Sequence, residues 1–147
     1  MPVHNADVAA LFEDVADLLA IQGENAFRIR AYRNAARTLN QLSRPVADLV
    51  AAGEDLSDLP DIGDDLAGKI ATIVETGRLP LYDELTQDIP PSVADLLRIP
   101  GLGPKRVRRL RDALGVDSRA ALKRAAETGK VQALDGFGET MEQNILD

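Results

Sequence analysis

One five-residue unit recurs three times in this chain and constrains its fold more than any other feature. Leu59-Pro60-Asp61-Ile62-Gly63, Ile99-Pro100-Gly101-Leu102-Gly103 and Leu134-Asp135-Gly136-Phe137-Gly138 share the pattern apolar-x-(Gly)-apolar-Gly, with starts 40 and then 35 residues apart. Each precedes apolar residues at helical spacing. These are Leu66, Ile70 and Ile73 after the first copy, Val107, Leu110 and Leu114 after the second, and Met141, Ile145 and Leu146 after the third. Three tight turns that each feed a helix call for a helical framework, and the rest of the chain agrees. Asn5 is placed to cap a helix carrying Val8, Leu11, Phe12, Val15, Leu18 and Leu19, which Gly23 ends. A second amphipathic helix over residues 26–41 turns Tyr32, Ala35, Ala36 and Leu39 inward. Pro45 suits the first turn of a short helix that Gly53 stops. Ser92 is placed to cap a helix over 93–98, Pro104 opens one reaching Leu114, and Ser118 or Asp117 caps one that ends before Gly129. No segment alternates with period two and β-branched residues nowhere cluster, so the expected fold class is all-α.

Composition narrows the chemistry. The chain has 147 residues, of which 45% are apolar but only 3% aromatic, so a core built mainly from Leu, Val, Ile and Ala is expected. Without cysteine there is no disulfide, thiol nucleophile or thiolate-bound metal, and the single His4 leaves no histidine-based triad or metal cluster. No apolar run approaches the roughly 18 residues of a membrane span, and no charged-then-apolar leader opens the chain. The expectation is a monomeric cytoplasmic protein.

The net charge of −7 hides an uneven distribution. Residues 26–44 carry Arg28, Arg30, Arg33, Arg37 and Arg44 without an acid, and residues 98–111 carry Arg98, Lys105, Arg106, Arg108, Arg109 and Arg111 without an acid. These two stretches hold 11 of the 17 basic residues, and such stripes act on phosphate locally, over a screening length of about 8 Å. In the repeated unit, glycine permits a tight turn, the apolar residue between the glycines (Ile62, Leu102 or Phe137) pins it, and the next helix begins with unpaired N–H groups that suit an anion. Gly63, Gly101, Gly103, Gly136 and Gly138 are therefore candidate contacts to a nucleic-acid backbone, read without regard to base sequence. The middle copy ranks first because Lys105, Arg106, Arg108 and Arg109 follow it. The first copy has Asp61 in place of a glycine, with Asp64 and Asp65 behind it. The third has Glu139 and Glu142 and is expected to be chiefly structural. The turn carbonyls of Leu97, Ile99 and Leu102 are candidate holders of a sodium or potassium ion.

Helix-hairpin-helix units occur in many repair proteins, but this combination resembles the amino-terminal region of family X DNA polymerases, especially their bacterial and archaeal branch. The resemblance is carried by residues 27–36 (Phe-Arg-Ile-Arg-Ala-Tyr-Arg-Asn-Ala-Ala), by 59–70, by Gly77-Arg78-Leu79, by 97–107, and by 131–138. It implies a small helical domain over 1–80 with the first hairpin, then a fingers-type subdomain over 85–147 with the second and third. In that family nucleotidyl transfer needs a palm domain whose aspartates hold magnesium ions. This chain has no such segment, so it is expected to be part of a longer polymerase that cannot polymerise alone.

The resemblance also implies a choice at one lysine. The family's small domain can act as a 5′-deoxyribose-phosphate lyase through a Schiff-base lysine, which aligns with Lys69, assisted by a tyrosine that aligns with Tyr32. Asp65, four residues before Lys69, stands where better-known members carry a second lysine, and an i,i+4 pair with it opposes nucleophilicity. Phe27 replaces a histidine that helps hold a 5′ phosphate, and Arg28 keeps the neighbouring positive charge. Three readings follow. The first is sequence-independent binding of gapped, nicked or 5′-phosphate-bearing DNA, with Arg28, Arg33 and Tyr32 near the 5′ end. The others are a lyase acting on abasic ends, and a non-catalytic adaptor whose arginine face meets an acidic protein.

Overall fold

The repeated turn is one structure three times over. In a computed structural model, which describes residues 3–146, the amides of Ile62, Leu102 and Phe137 donate to the carbonyls of Leu59, Ile99 and Leu134 at 3.3, 3.1 and 3.1 Å. The third residue of each turn is left-handed: Asp61 at φ 61°, Gly101 at 88° and Gly136 at 85°. This is the type II pattern, with Pro60 and Pro100 supplying the second position of two copies. Asp61 is the one described non-glycine residue with positive φ, a conformation that Asp tolerates better than most side chains. Each turn is preceded by another of the same span, in which Leu59, Ile99 and Leu134 donate to Leu56, Leu96 and Val131. The repeat therefore begins three residues earlier than the sequence pattern shows, and Leu56, Leu96 and Val131 are all buried.

Nine α-helices and two 3-10 helices account for the regular structure of the described residues, with no strand among them. In order these are α1 (Asn5–Gln22), α2 (Ala26–Gln41), α3 (Val46–Ala51), η1 (Leu56–Asp58), α4 (Asp64–Thr76) and α5 (Pro80–Asp88), then α6 (Pro91–Ala94), η2 (Asp95–Arg98), α7 (Pro104–Leu114), α8 (Arg119–Glu127) and α9 (Glu139–Leu146). The chain divides into two units. The first holds residues 3–19 and Glu24–Leu85, the second Ala20–Gly23 and residues 86–146.

In the first unit Tyr32, Ala35, Ala36 and Leu39 are the buried residues of α2, and the Tyr32 ring meets Phe12 of α1 edge-on at 5.4 Å. Asn5 does not cap α1. Its Oδ1 accepts from the Val46 amide at 2.7 Å and its Nδ2 donates to the Arg44 carbonyl at 2.9 Å, which fastens the start of α1 to the start of α3. The cap is one residue earlier: the His4 amide donates to Asp7 Oδ2 and the Asp7 amide returns to the His4 carbonyl. Leu66, Ile70 and Ile73 line the inner face of α4.

In the second unit the helix expected over 93–98 is split into α6 and η2. Pro91 occupies its first turn, and the chain tightens to 3-10 geometry ahead of Pro100. Ser92 does not cap it; its hydroxyl donates to the Asp117 carbonyl at 2.7 Å. Ser118 caps α8 as expected, accepting from the Ala121 amide. Arg119 of α8 bonds Asp95 at 2.6 Å and holds that carboxyl below the ordinary carboxylate range, so the contact is intact at neutral pH and is lost as pH falls through the lowered value. Helix α5 has no counterpart in the sequence reading, because its one buried side chain, Leu85, leaves no period to detect.

The third hairpin departs from its siblings in the chemistry of what it buries. Counted from the glycine at each helix start, Glu142 falls where the middle copy has Val107 and the first has Ala67. It is Glu142, rather than Met141, Ile145 or Leu146, that is the buried residue of α9. Glu142 is 6% exposed and its Oε1 has no hydrogen-bond partner. A buried acceptor without a partner loses its hydration uncompensated, so Glu142→Val should raise the unfolding free energy by about 1–2 kcal/mol. Chemical denaturation of the two proteins side by side checks this; a loss of stability in the variant would refute it.

Candidate nucleic-acid interface

The middle hairpin leaves backbone donors open at a helix start that carries no negative charge. Gly103 is the N-cap of α7 and provides no side-chain cap, and Pro104 at the first position has no N–H to satisfy. The first amide of this helix to find a carbonyl is that of Val107, which donates to Gly103 at 3.0 Å. The N–H groups of Gly103, Lys105 and Arg106 have no partner among the described residues. The helix dipole adds to their attraction for an anion.

Gly103 itself is informative. Its φ of −85° and ψ of 176° are extended backbone open to any residue, and a Cβ placed there would meet nothing within 4 Å. Neither conformation nor packing within the protein calls for glycine at 103. Glycine is a favoured N-cap residue, and here it leaves the helix start unobstructed. Gly63 and Gly138, at the same place in the other copies, are equally unobstructed.

The three helix starts differ in charge. The first turn of α4 carries Asp64 and Asp65, that of α9 carries Glu139 and Glu142, and that of α7 carries no acid. Carboxylates compete with phosphate for the same amides, so only the middle hairpin combines free donors with a basic flank. Lys105 and Arg106 are both exposed beside it.

The cations that follow are more engaged than their sequence suggests. Arg106 donates to the Gly101 carbonyl at 3.3 Å, and Arg109 donates to the carbonyl of Asp135 in the third hairpin. Arg111 donates to the carbonyl of Asp88, the last residue of α5. Arg108 pairs with Asp112 at 3.8 Å, and its guanidinium occupies the space that a Cβ at Gly23 would take. Arg106 and Arg109 lie over the Phe137 ring, 6.0 and 5.6 Å from its centroid. Sequence reasoning gave Phe137 only the role of an apolar pin. The signal it held was an aromatic ring where the sibling turns carry Ile62 and Leu102.

Three cations of the second basic stripe are met by acids that lie outside it. Arg33 reaches Glu13 at 3.0 Å and Asp17 at 3.1 Å on α1, Arg28 pairs with Glu24, and Arg44 pairs with Glu54. Arg30 and Arg37 of α2 stay exposed, with no ion pair among the described residues. Arg33 spends donors on two carboxylates of α1. Phe27 stands out on this helix, 76% exposed with the Arg30 guanidinium 5.6 Å over its ring.

Lys69 lines an open groove of about 490 Å³ with Asp64, Asp65, Gly68, Thr72, Leu79, Pro80 and Leu81. Its amine donates to Asp65 Oδ1 at 2.7 Å. Tyr32 is not brought to that groove; it is 2% exposed and packed on Phe12. No group of three or more His, Asp or Glu side chains is placed to hold a metal ion among the described residues, and no helix among them is long and apolar enough to cross a membrane. At the candidate cation site, the Ile99 carbonyl is shared with the Leu102 amide, while those of Leu97 and Leu102 accept no hydrogen bond among the described residues. Neutral oxygens of this kind fit a monovalent ion better than a divalent one, which favours carboxylate ligands.

Comparison with known proteins agrees with this geometry. Residues 3–79 match the helix-hairpin-helix domain family, and residues 93–147 match the SAM-like helix-hairpin-helix tandem family. Over 144 residues, 98% of its length, the chain is 33% identical to a Bacillus subtilis protein named DNA polymerase/3′-5′ exonuclease PolX. It spans 25% of that relative's length. The similarity to family X polymerases is thus found along nearly the whole chain. With a family match over more than half its residues and three turns closed by equivalent hydrogen bonds, the chain belongs to the helix-hairpin-helix domain family and carries its DNA-binding architecture.

Proposed function

We propose that this chain grips the sugar–phosphate backbone of gapped or nicked DNA, without base preference, as the DNA-holding part of a family X polymerase engaged in repair synthesis. The observation that carries the reading is the start of α7: free amides at Gly103, Lys105 and Arg106, an unobstructed glycine, two exposed cations and no acid. A phosphate placed there meets backbone donors and charge together, and neither reports the base. A sodium or potassium ion at the Leu97, Ile99 and Leu102 carbonyls would add positive charge behind the same turn. Exposed Arg28 and Phe27 put a cation and an apolar face at the start of α2, where a DNA end can be received.

The lyase reading is the weaker one. Schiff-base formation needs an amine with a free lone pair, and Lys69 is tied to Asp65, with Tyr32 buried elsewhere. The adaptor reading draws on the same exposed arginines as the DNA reading, and competition by nonspecific duplex DNA separates the two.

Two measurements test the proposal. In anisotropy titrations on nicked duplexes of different sequence, Lys105→Ala with Arg106→Ala should weaken binding alike for all of them and flatten the dependence on salt by about two phosphate contacts. Gly103→Val should cost about 1 kcal/mol of stability, because valine is a poor N-cap, and should lose affinity because its side chain blocks the approach. Unchanged affinity in both variants would refute the assignment of the middle hairpin. Borohydride trapping on a nicked abasic-site duplex should yield no covalent adduct. An adduct that disappears in Lys69→Ala would establish the lyase instead.

A further inference from the structure

We propose that Phe137 is a positioning residue for phosphate binding, holding the guanidinium groups of Arg106 and Arg109 ready beside the open amides of α7. The inference rests on the DNA-binding reading above and goes beyond it by giving the third hairpin a part in the work of the second. At the pin position the other copies carry Ile62 and Leu102, each 3% exposed, so an aliphatic side chain is enough to anchor this turn. Only the third copy carries a ring, in a chain with 3% aromatic residues. What a ring offers and a leucine does not is a face of negative potential for cations.

That face is occupied. Arg106 and Arg109 stand three residues apart on one side of α7, with their Cζ atoms 6.0 and 5.6 Å from the Phe137 centroid. Each is fixed a second time by a turn carbonyl, Arg106 by that of Gly101 and Arg109 by that of Asp135. One carbonyl uses one of the five N–H donors of a guanidinium, so most of the fork remains for phosphate oxygens, and both side chains are exposed. An arginine held in place on two sides loses less rotamer freedom when it binds than one swinging in solvent. Phe137 thereby stiffens the cationic flank of the middle hairpin without touching DNA itself.

The test uses the 147-residue chain with a fluorescent nicked duplex, titrated over a range of salt concentrations, with thermal melting as the control for folding. Phe137→Leu, which reproduces the aliphatic pin of the middle copy, should bind about fivefold more weakly at low salt and with a flatter salt dependence. Pentafluorophenylalanine in place of Phe137 keeps the shape of the ring but reverses the potential of its face, and should weaken binding to a similar degree. If the leucine variant does not fold, the fluorinated protein decides. Wild-type affinity and salt dependence in the folded variants would overturn the inference while leaving DNA binding intact. A folded wild-type chain that does not bind the duplex would overturn the DNA-binding reading, and the role of Phe137 with it.

Discussion

A single amide–carbonyl bond across four residues organises this molecule. Wherever the amide of Ile62, Leu102 or Phe137 meets the carbonyl three residues earlier, the chain reverses in a type II turn. The reversal drives that residue into the core and leaves the following helix to start from a bare glycine. The turn demands a left-handed third residue, which explains Gly101 and Gly136 and makes Asp61 the tolerated exception. Burial of the fourth residue then fixes the direction of the next helix, because the apolar face of that helix must continue into the same core. Each hairpin is anchored from inside, and what it presents outward is backbone.

From that common scaffold the three copies diverge through charge. Asp64 and Asp65 fill the first turn of α4, Glu139 and Glu142 that of α9, and only α7 begins with donors and cations together. The dipole and the free amides are the same in each copy, so the side chains of the first turn decide which start an anion can use. The third copy gives up more than charge: Glu142 occupies a buried position that the middle copy fills with Val107, and its Oε1 has no partner there. Yet the same hairpin carries the Phe137 ring against two arginines of α7. Its divergence fits a supporting role to the middle copy.

Much of this was legible in the residues. The spacing of the glycines, the apolar faces of α2 and α7, the Ser118 cap and the Asp65–Lys69 pair are all local, governed by neighbours within four positions, and the structure shows each where the pattern places it. The misreadings share a cause, which is a polar side chain that finds its partner far along the chain. Asn5 and Ser92 look like caps because caps are the local use of such residues. In the fold they bond to residues 44–46 and 117 instead. The contact of Tyr32 with Phe12, twenty positions away, is likewise out of reach of any local pattern.

The amino-acid sequence alone determined the all-α class, the three turns and the charge of each helix start, because period, glycine placement and first-turn composition act over a few residues. It could not determine which cations are free. Arg33 lies in a stretch without acids, yet two carboxylates of α1 close on it; Arg109 and Arg111 spend donors on carbonyls more than twenty residues away. Charge is additive along a sequence, but availability depends on what the fold brings within hydrogen-bond distance. That distance was set only when the helices packed.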